Sequence, residues 1–137
     1  MKVSTGPEFL ESVANHPRVH PFVCGPDKAP VRFGEKWADC IGLEWPEGGF
    51  VFQRHDPLTY EVHTLFLPKT YDVDRKAVQA LDYMFGLGAE TIITQVAKEL
   101  PHVRRFALRH GFRWYAEGEG CDFYELTRED RECPQQS

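Results

Sequence analysis

Glu61 and His63 stand two residues apart in the run Thr59-Tyr60-Glu61-Val62-His63-Thr64-Leu65-Phe66-Leu67. An extended strand alternates its side chains, so both project from one face. A carboxylate and an imidazole held this close shift each other's pKa, and both are residue types of acid–base chemistry. On a solvated sheet face, or bonded to a neighbouring strand, the same pair does no chemistry. Tyr71, in the loop after Pro68, is a phenol that can give up a proton, act as an aromatic lid, or simply sit exposed. His102 and His110 flank a helical stretch, and a charge on His110 is favoured by the helix dipole. His16 and His20 have ligand-like spacing, but Pro17 spoils a shared helix face. Cys24, Cys40, Cys121 and Cys133 form no CxxC or CxxH pair, so reduced thiols and no metal site are expected. Cys133 is expected to be exposed and the other three to be small core residues. There is no nucleophile motif, P-loop or dinucleotide fingerprint.

These candidates need a scaffold, and 137 residues suffice for one domain. Apolar residues make up 42% and aromatics 13%, which excludes wholesale disorder. No apolar run is long enough to span a bilayer. With 16 Lys plus Arg against 21 Asp plus Glu the formal charge is −5. That argues against nucleic acid as a partner through a basic field. Arg104, Arg105 and Arg109 form a basic stripe, either a solvated face or a reader of phosphate or an acidic partner. Glu8 and Glu11 interrupt what would be the apolar core of a secretory peptide, so a cytoplasmic protein without membrane association is expected.

Thr5 and Glu8 read as a capping box opening a short helix with Phe9, Leu10 and Val13 inward, ended by His16-Pro17. Pro17, Pro21, Pro26 and Pro30 leave room only for loop and an edge strand around Phe22–Cys24. Runs 40–45 and 50–54 flank the hairpin turn Pro46-Glu47-Gly48-Gly49. Residues 59–67 form a central strand, ended by Pro68. Asp72 or Asp74 caps a helix of about 14 residues burying Ala77, Val78, Leu81, Met84 and Phe85, stopped by Gly86 and Gly88. Glu90–Gln95 reads as a buried strand. Residues 101–110 form a second helix, with Val103, Phe106 and Ala107 inward and Gly111 as a left-handed C-cap. Residues 112–116 and 121–126 close the sheet as a hairpin, and Trp37, Trp45 and Trp114 are expected in the core. The crossover between the 59–67 and 90–95 strands makes them parallel in a mostly antiparallel sheet. Residues 1–127 are expected to form one domain and 128–137 a frayed polar tail.

This order resembles the GNAT acyl-CoA N-acyltransferase fold, an α/β (α+β) architecture. The likeness spans about Gly49 to Leu126. It rests on Tyr60-Glu61-Val62-His63-Thr64-Leu65-Phe66-Leu67-Pro68, on the Arg75–Phe85 helix, and on a Pro101–Phe112 helix ending in Gly111-Phe112. The Tyr-Glu-Val-His strand and Met84-Phe85 are most similar to small bacteriophage-encoded members. The resemblance implies two parallel strands that splay, with acetyl-CoA or CoA in the wedge as substrate. It implies backbone N–H groups of Leu65, Phe66 and Leu67 on the thioester carbonyl. Thr70, Val73, Arg75, Lys76 and Ala77 would cradle the pyrophosphate. Glu61 or His63 would deprotonate the amine of a small-molecule or protein acceptor, and Tyr71 could be a displaced general acid. The sequence departs from the family in three places. Its phosphate loop, Lys69-Thr70-Tyr71-Asp72-Val73-Asp74, lacks glycine and carries two carboxylates. Pro101 stands where members often have Asn, and Ala107 where they often have Tyr. These departures fit an alternative, a catalytically degenerate member with a virion or host-protein-binding role. A homodimer through the aromatic-rich closing hairpin is a further expectation.

Overall fold

A computed structural model describes residues 1–23 and 29–132. Seven strands form one sheet in the order β1-β2-β3-β4-β5-β7-β6. They are β1 Lys2–Val3, β2 Cys40–Trp45, β3 Gly48–Asp56, β4 Thr59–Phe66, β5 Thr91–Ala97, β6 Arg113–Glu117 and β7 Cys121–Thr127. Among the described residues only β4 and β5 run parallel, joined by the helix α3, Val73–Gly86. The fold is thus the expected mixed, mostly antiparallel sheet with flanking helices. No described helix is long and apolar enough to cross a membrane.

The period of two in β4 sorts the core. Tyr60, Val62 and Phe66 pack with Phe50, Phe52, Leu81, Met84, Ile92 and Leu126 under α3 and α4 (Pro101–Arg109). Leu65 faces the other way and joins Val51, Phe33, Val19 and the Leu10, Val13 and Ala14 of α1 (Glu8–Ala14). Each fully buried Leu or Phe here contributes about 1.5–3 kcal/mol. Gly111, at φ 89°, turns the chain so that the Phe112 amide donates to Ala107 O and the Phe112 ring is buried.

Several local expectations give way to tertiary contacts. The Thr5–Glu8 capping box does not form: α1 starts at Glu8 behind Pro7, without a side-chain cap. Its Glu11 carboxylate instead accepts the Phe33 and Gly34 amides, at 2.8 and 3.1 Å, and so holds a 3-10 turn over Gly34–Asp39 that sequence reading missed. The edge strand expected around Phe22 is a short helix, α2 (His20–Val23); Cys24 lies outside the described residues, as does Cys133. His16 O accepts the Val19 and His20 amides, a turn that Pro21 can continue from a helix's first turn. Asn15 closes this excursion by donating to Val31 O and accepting from Val31 N. Asp72 occupies the N-cap place of α3 but its side chain caps nothing, and Asp74 lies inside the first turn. Val78 (40% exposed) and Trp114 (54% exposed) are not in the core. Residues 128–132 form α5 rather than frayed chain. Thr127 Oγ1 accepts the Asp130 amide, while Arg128 and Arg131 dock on Glu90 and Asp82.

The β2–β3 hairpin leaves no space for side chains at its closed end. Gly48 sits at φ 144°, and a Cβ there would lie 2.0 Å from Leu65 O on β4. Gly48→Ala is expected to lower stability in urea unfolding by more than about 1 kcal/mol. Gly86→Ala, at the end of α3 with nothing within 4 Å, should instead raise it by roughly 0.4–1 kcal/mol.

A cleft between two parting strands

Pairing of β4 with β5 stops after Thr59↔Thr91, Tyr60↔Ile92 and Glu61↔Ile93. Residues 62–66 of β4 and 94–97 of β5 continue, each bonded only to its outer neighbour, β3 or β7. Two side chains of β5 bridge the start of the gap: Thr94 Oγ1 donates to Val62 O at 3.4 Å, and Gln95 Nε2 to Glu61 Oε2 at 3.3 Å. The gap opens a cavity of about 810 Å³. Its lining comes from both sheet faces: Glu61, His63 and Leu65 on one, Val62, Thr64 and Phe66 on the other. Val73 and Ala77 of α3, His102, Val103, Phe106 and Ala107 of α4, and Phe22 and Val23 of α2 complete the walls.

Strand geometry decides which backbone groups face the gap. Val62 O points towards β5, and the Leu67 amide points the other way, donating to Glu47 O at 3.0 Å. Backbone groups alternate along a strand, so the amides of Thr64 and Phe66 face the gap. Of the three amides expected to polarise a carbonyl, those of Leu65 and Leu67 therefore face β3, and Phe66 supplies the one that opens on the cavity.

Glu61 sits at the vertex, 9% exposed. His55 Nε2 donates to its Oε1 at 2.9 Å and Gln95 Nε2 to its Oε2 at 3.3 Å. His63 Nε2 lies 3.7 Å from Glu61 Oε2, too far for a hydrogen bond. That nitrogen is buried and has no partner among the described residues. The ring leans on Phe33, with centroids 5.9 Å apart. Burial pushes the His63 pKa below the usual histidine range; Glu61 opposes this, and His55 and Lys36 add to it. His63 is therefore a neutral imidazole with an unengaged nitrogen at pH 7. Sequence reading found Glu61 and His63 but missed His55 and Gln95. His55 follows the β3 register shift at Arg54/Asp56, which no local pattern signals. Gln95 was visible only as a polar end to a β-branched run.

The amides of Val73, Asp74 and Arg75 at the start of α3 have no partner among the described residues, and Lys76 N is the first to bond back, to Asp72 O at 3.0 Å. Lys69 and Asp72 take left-handed backbone, at φ 65° and 59°, so the loop reaches without glycine a shape glycine would adopt at less cost. The two carboxylates are drawn off to the side. Asp72 pairs with Arg75 at 3.4 Å, and Asp74 accepts from Arg109 Nε at 3.2 Å and His110 Nε2 at 2.8 Å. Partial desolvation pushes the Asp74 pKa up, but the bonds and charges of Arg109 and His110 outweigh it and hold it below the usual carboxylate range. Lys76 is buried rather than turned to the loop's outer side. Its Nζ donates to Tyr71 O at 2.8 Å and meets Glu47 Oε1 at 3.4 Å. Thr70 Oγ1 donates to Leu67 O. Tyr71 is 83% exposed and does not line the cavity. Val73 and Ala77 do; Arg75 stands at the surface.

No protein-family model matches the chain, and no curated protein matches it in sequence. Solved structures do match in fold. A Vibrio cholerae spermidine N-acetyltransferase SpeG chimera with hSSAT is 14% identical, with a TM-score of 0.67 over 96% of this chain and 99% of that one. Aminoglycoside acetyltransferase AAC(6')-Ib, in complex with coenzyme A and kanamycin, is 16% identical, with a TM-score of 0.66 over 98% of this chain and 100% of that one. Campylobacter jejuni N-acetyltransferase PseH, in complex with acetyl coenzyme A, is 15% identical, with a TM-score of 0.57 over 66% of this chain and 70% of that one. Likeness at this identity establishes a shared fold.

The depressed His63 pKa has a thermodynamic sign. The unfolded imidazole binds a proton near pH 6.5 and the folded one only at lower pH. Stability is thus fully present above about pH 6.5 and falls as pH drops towards the folded pKa. Urea unfolding from pH 7.5 to 5 should show this loss, and His63→Gln should reduce the slope relative to the parent chain.

Proposed function

We propose that the chain is a GNAT-type N-acyltransferase that moves an acetyl or other short acyl group from acyl-CoA to an amine. One observation carries the reading: two parallel strands part at Glu61, and the resulting cavity runs between both faces of the sheet with an unpartnered imidazole in its wall. The two sides then give two substrates separate approaches to one gap. The α3 amides at Val73–Arg75 form an anion site suited to pyrophosphate, and the lateral pairing of Asp72 and Asp74 keeps their charge off it. Arg105 and Arg109 stand on the adjoining wall.

In this reading the Phe66 amide donates to the thioester oxygen as negative charge grows there. His63 Nε2 takes the proton of the attacking amine, and Glu61, fixed by His55 and Gln95, steadies the imidazolium. The new bond is nitrogen to carbonyl carbon, and the bond broken is carbon to sulfur. The thiol leaves as thiolate and takes its proton from water, for Ala107 holds none and Tyr71 stands outside the cavity. A thiol pKa near 8.5 makes departure without a protein acid chemically reasonable. Juxtaposition of the two substrates supplies much of the remaining acceleration.

Acetyl-CoA at 100 times its dissociation constant should stabilise the protein by about 2.7 kcal/mol, read as a thermal shift. In a thiol-release assay His63→Gln should lower kcat/KM by roughly 10²–10⁴ while leaving that shift intact. Absence of any shift at millimolar acetyl-CoA or CoA would overturn the enzyme reading in favour of a scaffold, in a virion or on a host protein.

A further inference from the structure

The cavity wall carries an excess of positive charge, although the whole chain has a formal net charge of −5. Among the described residues, Arg18, Arg105 and Arg109 line it against a single carboxylate, Glu61. Both Glu61 oxygens are already engaged by His55 and Gln95. Arg109 is matched by Asp74. The side chains of Arg18 and Arg105 have no acid partner among the described residues. Arg105 belongs to α4, on the side where the acyl donor's phosphates would lie. Arg18 does not: it sits in the turn between α1 and α2, beside Val19, Phe22 and Val23, on the side of the sheet that Glu61 and His63 face. In the acyl-transfer reading the donor's phosphates lie at the start of α3, and this guanidinium stands on the opposite face of the sheet.

From this we infer that the acceptor is an amine that also carries an anion, a carboxylate or a phosphate, bound by Arg18. The proposal rests on the acyl-transfer reading and adds the acceptor's chemical class to it. Arg18 takes the anion through its planar fork of N–H donors. Val19, Phe22 and Val23 cover the acceptor's carbon chain, and its nitrogen meets His63. A polycationic acceptor would set a second ammonium against Arg18 with no second carboxylate in the lining to receive it.

The test is equilibrium titration of the full chain, with and without saturating CoA, followed through the His63 imidazole signals by NMR. The probes are 4-aminobutyrate, O-phosphoethanolamine, butylamine and 1,4-diaminobutane. The two anionic amines should bind at least ten-fold more tightly than the other two. Arg18→Gln should remove that advantage, Arg18→Lys should keep part of it, and Arg32→Gln, an exposed arginine outside the cavity, should keep all of it, with thermal melts confirming that each variant folds. The preference of the two anionic probes over each other separates a carboxylate from a phosphate acceptor. Equal or tighter binding of the diamine, an advantage that survives Arg18→Gln, or no binding of either anionic probe at millimolar concentration would overturn the assignment. If CoA fails to bind while the anionic preference persists, the transferase reading falls and the amine–anion site stands. If CoA binds and the preference is missing, the reverse holds.

Discussion

Two strand edges inside one sheet lack partners, and the rest of the molecule is arranged around that fact. A backbone amide or carbonyl withdrawn from water without a hydrogen bond costs free energy. A sheet that stops pairing at its centre would ordinarily close. Here β4 and β5 are each bonded along their outer edges, to β3 and β7, for their full length. Separate apolar clusters lie on the two faces: the larger involves α3 and α4, and the smaller packs α1 against β3 and β4. Neither strand can move toward the other without disturbing a packed cluster. The inner edges stay open to solvent or to a ligand that can bond them.

The loop ahead of α3 shows how one backbone shape can be reached through different residues. Glycine would give the turn its left-handed backbone at little cost; this chain uses Lys69 and Asp72 and accepts some strain. The two carboxylates of this loop are bound sideways by Arg75, Arg109 and His110. Charge counted along a chain says little until partners distant in sequence are known. Asp74 and Arg109 are 35 positions apart.

Legibility followed the range of the interactions. The faces of β4, the α3 helix over 73–86, the Gly111-Phe112 stop and the parallel crossover are written in short periodic patterns, and each could be read from residues close together in sequence. Glu61 and His63 were visible for the same reason. Gln95 was not, because it reaches Glu61 from a strand 34 positions away, and His55 was not, because it sits at an irregularity in the β3–β4 register. The Thr5–Glu8 box does not form because α1 starts at Glu8 behind Pro7, which puts Glu8 at the helix's first position rather than its third. Trp114 resisted because aromatic composition signals burial on average, and an edge strand such as β6 has one neighbour rather than two.

The Lys76 ammonium has a consequence for how quickly this cleft can be filled. It is buried against Tyr71 O, Glu47 and the Phe66 ring, so it fastens the start of α3 to the β2–β3 turn and to the last residue of β4. A rim held in this way is preorganised: an incoming molecule spends none of its binding energy prying strands apart, and docking can proceed on the diffusive timescale rather than wait for the sheet to breathe.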